Sequence, residues 1–122
     1  MLSSMAPTIL AKDGQLFMVT GTLGARTIIN TVLETIVDVV DFGMNAQEAI
    51  DAPRFHHQWL PDEIYWEPLE FNQDTRTALE AMGHQFREKP SALGDAQGIE
   101  IDSKGMRLGA ADPRLGGAAA GY

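Results

Sequence analysis

Cysteine is absent from the 122-residue chain, which excludes disulfides, thiolate nucleophiles and cysteine-based zinc sites and leaves the redox compartment open. Positive charge is scarce: 9 Lys and Arg stand against 17 Asp and Glu, giving a net charge of −8. A surface for nucleic acid or an anionic membrane needs the opposite balance, so neither partner is expected. Long uncharged apolar runs are missing too. The most apolar stretch carries Glu34, Asp38 and Asp41, which argues against a membrane span. The opening "MLSSMAPTIL" has neither a basic lead nor a sustained apolar core, so no secretory signal is expected in this chain. No internal repeat, linker or low-complexity stretch is present; the Gly/Ala-rich end "LGGAAAGY" comes nearest.

What is present suits one soluble globular domain with one core: 44% apolar and 21% charged residues. "PTILAKDGQLFMVTG" reads as a hairpin, with apolar runs at 8–11 and 15–19 around Asp13-Gly14, a type I′ turn signal. A helix is expected over 27–42, with 27, 31, 34, 38 and 41 as one polar, solvated stripe on an otherwise buried surface. Gly43 should stop it. "NAQEAIDAP" reads as a short helix with Asn45 as cap, Glu48 completing a capping box and Pro53 ending it. A loop, "RFHHQWLPDEIYWEP", leads to a short strand near 63–67. "NQDTRTALEAMG" gives another helix, capped near Asn72–Asp74 and closed by Gly83. "AQGIEIDSKGMRLGAAD" reads as a second hairpin turning at Ser103-Lys104-Gly105. The coarse order is β-β-α-α-β-α-β-β-β, an α+β layered domain. So buried a helix on so small a sheet suggests the later part of something larger.

Few residues carry chemistry by type alone. "GTLGAR" reads equally as a tight strand-to-helix connection or as backbone N–H groups held against an anion; it lacks the Gly-Lys-Ser/Thr ending of a phosphate loop. His56 and His57 are neighbours whose side chains diverge on an extended chain, so a structural pair is expected rather than a metal site. His84 is remote in sequence. Glu34, Asp38 and Asp41 suit a solvated helix face, and Trp59, Tyr65 and Trp66 suit core or interface packing. Arg54 is expected to be structural, paired with Asp51 or Asp62.

Several stretches together resemble one family. "LSSMAPTIL", "VTGTLGARTIINTVL", "DFGMNAQEAIDAPRFHHQWLPDE", "LEAMGH", "GDAQGIEID" and "GAADPRLGGAAAGY" follow the order found in the C-terminal part of the small subunit of γ-glutamyltransferases (γ-glutamyltranspeptidases). The likeness covers essentially the whole chain, and "APRFHHQWLPDE" and the closing "DPR…GG.A.GY" are its most specific parts. It implies part of the αββα four-layer sandwich of N-terminal-nucleophile hydrolases. It also implies a self-cleaving precursor whose new N-terminal threonine attacks the γ-glutamyl amide of glutathione or a related compound. The α-amine of that threonine is the base, and the acyl-enzyme passes to water or to an amino-acid or peptide acceptor.

By the same resemblance, Ser3 and Ser4 hydrogen-bond the glutamyl α-carboxylate, and the backbone N–H groups of Gly24 and Ala25 form the oxyanion hole. No metal or organic cofactor is implied. The chain departs from the family loop twice: Leu23 stands for a proline and Ala25 for a glycine, whose replacement penalises positive φ. In the family the nucleophilic threonine and the residues that hold the substrate amine precede "SSM", so the expectation is an incomplete domain over 1–122, inactive as a lone chain. Its expected partners are γ-glutamyl compounds once completed, the missing N-terminal part of the enzyme or a separate chain, and further copies of itself. A non-catalytic interaction domain or remnant that complements a separate N-terminal polypeptide is the alternative. Hydrolysis and transfer both remain open. So does compartment, since family precursors are commonly exported to the periplasm or outside.

Overall fold

Asp13 and Gly14 both take positive φ, 52° and 77°, as the expected turn requires. They join β1 (Thr8–Lys12) to β2 (Gln15–Leu23), with a register shift between Leu10 and Ala11. The computed structural model describes residues 6–121. These form two compact units, one from the residues up to Asp51 together with those from Gly94 onward, the other from Ala52–Leu93.

The first unit is built on a four-stranded antiparallel sheet of order β1-β2-β5-β6, where β5 is Asp95–Ile101 and β6 is Arg107–Ala111. The turn between β5 and β6 is held by the Asp102 carboxylate, which accepts from the Lys104 and Met106 amides at 2.8 Å each. A 3₁₀ turn (Ala25–Thr27) leads into α1 (Ile28–Val40), followed by α2 (Ala46–Asp51). The capping box of α2 forms as expected. Asn45 Oδ1 accepts from the Gln47 and Glu48 amides at 3.0 Å, and Glu48 Oε2 accepts from the Asn45 amide at 2.9 Å. Gln47 also reaches across to β6: its side-chain amide donates to the Ala111 carbonyl at 3.0 Å and accepts from the Ala111 N–H at 3.1 Å. Glu100 Oε2, on β5, accepts from the Ala46 amide at 2.9 Å. Met18, Val39, Ala46, Ala49, Ile50, Ala96 and Ala110 close the core between sheet and helices.

Helix α1 corrects the expected polarity. Thr27 and Thr31, expected on the wet stripe, are buried, as is Thr35, whereas Ile29 and Leu33 are 70% and 56% exposed. Threonine is short and satisfies its own hydroxyl, as when Thr35 Oγ1 donates to the Thr31 carbonyl at 2.8 Å. A threonine face therefore packs on a sheet more closely than a row of leucines does. Ile9, Ile99 and Leu108 of the sheet are likewise open to solvent.

In the second unit two strands pair antiparallel: β3 (Phe55–His56), within the stretch expected to be a loop, and β4 (Tyr65–Trp66), found where a strand is expected. Helix α3 (Gln73–Ala81) is capped by Asn72, whose side chain accepts from the Thr75 amide at 2.8 Å. Phe71 packs edge-on against Phe55 and Phe86, and the Arg76 guanidinium lies over the rings of Trp66 and Phe86. At the other end of the chain only two of the three expected closing strands form among the described residues. The fold is α+β, the class expected.

Candidate functional site

Strand β2 does not stop where its apolar run stops. It continues through Gly21, Thr22 and Leu23, paired with Gln97, Ala96 and Asp95 of β5. The connection to the helical segment is therefore Gly24 alone. Its φ of 141° and ψ of 14° lie outside the range open to other residues. A side chain would also find no room, since a Cβ would stand 2.5 Å from Thr27 Oγ1 and 3.0 Å from the Cα of Gly94. Gly94, at φ 74°, is boxed in turn by Thr31 and Thr22, whose Oγ1 atoms would lie 2.7 and 3.0 Å from its Cβ. Ala25 follows with φ 52°, so the strain foreseen for an alanine at this position is present.

Hydrogen bonds fix the loop's peptide planes. Thr22 Oγ1 donates to the Leu23 carbonyl at 2.7 Å and accepts from the Asp95 amide at 2.9 Å. The Gly24 carbonyl accepts twice from Thr27, from its Oγ1 at 3.0 Å and from its N–H at 3.1 Å. In a trans peptide the N–H points opposite to the carbonyl it is conjugated with. With the Leu23 and Gly24 carbonyls held by threonines, the Gly24 and Ala25 N–H groups are turned away from those threonines. Pro7, Gly21, Thr22, Leu23, Asp95 and Gln97 line a cavity of about 300 Å³ beside this loop. Ser3 and Ser4 lie outside the described residues.

The remaining polar candidates have structural partners. Arg54, only 2% exposed, donates from Nη1 to the Leu93 carbonyl at 2.8 Å. Its own amide donates to Glu67 Oε2 at 3.1 Å, and the Leu93 amide donates to the other oxygen of that carboxylate. Buried Glu67 was not foreseen as its neighbour. His56 is buried beside Tyr65 with Nε2 3.0 Å from Gln58 Oε1, while half-exposed His57 pairs with Asp62 at 3.0 Å. Trp59 is 76% exposed and not a core residue. Among the described residues, no group of three or more His, Asp or Glu side chains is arranged to hold a metal.

The closing "DPR" motif is an anchor. Asp112 is fully buried and accepts from the Ala96 amide at 2.8 Å and from the Arg114 amide and Nη1 at 3.0 Å each. Arg114 Nη1 also donates to the Ile50 carbonyl at 2.9 Å. Sequence reasoning missed Thr22, Thr27 and Gly94 as loop partners. The two threonines bracket "LGAR" within "GTLGART" and were open to notice, but nothing local marks Gly94, 70 residues away from Gly24.

Comparison with known proteins gives a consistent result. A family model described as gamma-glutamyltranspeptidase matches residues 1–122. The chain is 50% identical over 113 residues to the glutathione hydrolase proenzyme of Escherichia coli strain K12, covering 93% of this chain and 19% of that protein. It is 37% identical over 121 residues to the Bacillus subtilis strain 168 proenzyme of the same name, covering 98% of this chain and 20% of that protein. Among solved structures, a mutant gamma-glutamyltranspeptidase of Helicobacter pylori superposes with a TM-score of 0.85 at 45% identity, over 93% of this chain and 62% of that one. The Pseudomonas nitroreducens gamma-glutamyltranspeptidase complexed with L-DON gives 0.84 at 35% identity, over 100% and 63%. The chain thus spans about a fifth of the length of the curated relatives it matches.

Proposed function

This chain belongs to the gamma-glutamyltranspeptidase family, and from that footing we propose that it is the C-terminal portion of a small subunit whose completed enzyme cleaves γ-glutamyl amides such as glutathione. In that enzyme a threonine supplied from the residues before "SSM" attacks the γ-carbonyl carbon while its α-amine takes the hydroxyl proton. The C–N bond then breaks as the leaving amine is protonated, and the acyl group passes to water or to an amino-acid or peptide acceptor. The present chain contributes Ser3 and Ser4 to the substrate carboxylate, and the Gly24 and Ala25 N–H groups to the oxyanion.

One observation carries this reading: the carbonyls of both loop peptides are tied back to threonines, which leaves both amides facing the other way. The open apolar side chains Ile29 and Leu33 on α1, and Ile9 and Ile99 on the sheet, suit a piece of a layered sandwich that other layers cover. The test is reconstitution. The 122-residue chain alone should release nothing from a chromogenic γ-glutamyl amide. Release should begin when the upstream part bearing the threonine is joined or supplied. Turnover by the lone purified chain would overturn the proposal.

A further inference from the structure

Two buried hydroxyls flank the loop, and each is committed to a carbonyl that shares a peptide plane with a candidate oxyanion donor. We propose that Thr22 and Thr27 are positioning residues for the oxyanion loop: their hydroxyls hold the Leu23 and Gly24 carbonyls and thereby aim and strengthen the Gly24 and Ala25 amides. This deepens the oxyanion reading above and rests on it.

Thr22 occupies an inward-facing position of β2 and is 4% exposed. A hydroxyl has one proton to give. Thr22 Oγ1 accepts from the Asp95 amide, and its proton goes to the Leu23 carbonyl at 2.7 Å. The β2–β5 ladder thus fixes the hydroxyl, and the hydroxyl fixes the peptide preceding Gly24. Thr27, 7% exposed, does the same from the helix side, adding its Oγ1 bond at 3.0 Å to the backbone bond at 3.1 Å on the Gly24 carbonyl.

Turning either peptide over would strand a buried threonine hydroxyl without its acceptor. A carbonyl that accepts a hydrogen bond is polarised, and its conjugated N–H becomes a better donor. Both effects act on charge that develops at the opposite side of the peptide. They therefore lower the barrier to attack while adding nothing to the affinity for the uncharged amide.

The test uses the full-length, processed polypeptide that contains this chain, assayed with a chromogenic γ-glutamyl amide. Thr22→Val and Thr27→Val keep the shape and lose the hydroxyl. Each should lower kcat roughly ten- to a hundredfold with KM changed by less than about twofold. Thr22→Ser and Thr27→Ser, which restore the hydroxyl, should bring kcat back to within a few-fold of the parent. A KM rise with kcat kept would overturn the proposal. If both valine variants keep their kcat while Ala25→Gly alters it, the positioning role falls and the oxyanion reading stands. If all three leave kcat unchanged, both fall. Should a valine variant not fold, a crystal structure of the parent enzyme decides: either hydroxyl found beyond hydrogen-bond distance of its carbonyl overturns the assignment.

Discussion

Gly24 and Gly94 meet with no space between them for a side chain, a Cβ on Gly24 falling 3.0 Å from the Cα of Gly94. Gly94 itself stands against Thr31 and Thr22 at φ 74°. Gly94→Ala therefore adds both a left-handed penalty and a clash with two buried threonines. It should destabilise the chain by about 2–3 kcal/mol, read as a fall in the denaturant midpoint at unchanged m-value. A midpoint equal to the parent's would show that the loop has room to spare.

Ala25 gives the opposite expectation. Its φ of 52° is strained for alanine, and glycine relieves that strain. Offset by the greater freedom of glycine in the unfolded chain, Ala25→Gly should still gain about 0.5 kcal/mol of stability. In the completed enzyme kcat should rise, because the second amide is then free to settle on the oxyanion. A lower melting temperature would show that the Ala25 methyl makes contacts worth more than the strain.

How far the sequence carried the reading follows from the range of each signal. The Asp13-Gly14 turn and the Asn45–Glu48 capping box are complete within a few residues, and both formed as expected. The orientation of α1 is not legible, because a polar stripe at 27, 31, 34, 38 and 41 suggests a wet face, while Thr27 donates its hydroxyl to the Gly24 carbonyl and both Thr27 and Thr31 are buried. Strand β3 is two residues long and has no periodicity to display. The loop motif was visible through family likeness; the packing of Gly24 against Gly94 joins distant parts of the chain and leaves no local trace.

Ser3 and Ser4 are proposed to bind the glutamyl α-carboxylate, a contact made equally in the ground and transition states. Replacing both with alanine in the completed enzyme should raise KM steeply and leave kcat nearly intact, each lost bond to the charged group costing about 1.5–3 kcal/mol. An unchanged KM would remove both serines from the site.

Ile29 and Leu33 present an apolar row on the outer side of α1, and Ile9 and Ile99 do so on the sheet. The isolated chain should self-associate through such surfaces and bind a hydrophobic dye. Sedimentation should show species beyond monomer that shrink when Ile29→Lys and Leu33→Glu are combined. A dye-silent monomer at high concentration would contradict this.

Gln47 bears on where such association stops. Its amide gives one hydrogen bond to Ala111 and takes one from it, the same exchange that a residue of a neighbouring strand would make. A single side chain therefore acts as a one-residue counterfeit strand on the outer rim of β6. A second molecule laying its own strand there must first evict the glutamine, so this end of the rim is closed to templated growth. Any fibrillar stacking of the lone chain should begin instead along β1, and Gln47→Ala should open β6 as a second growing end.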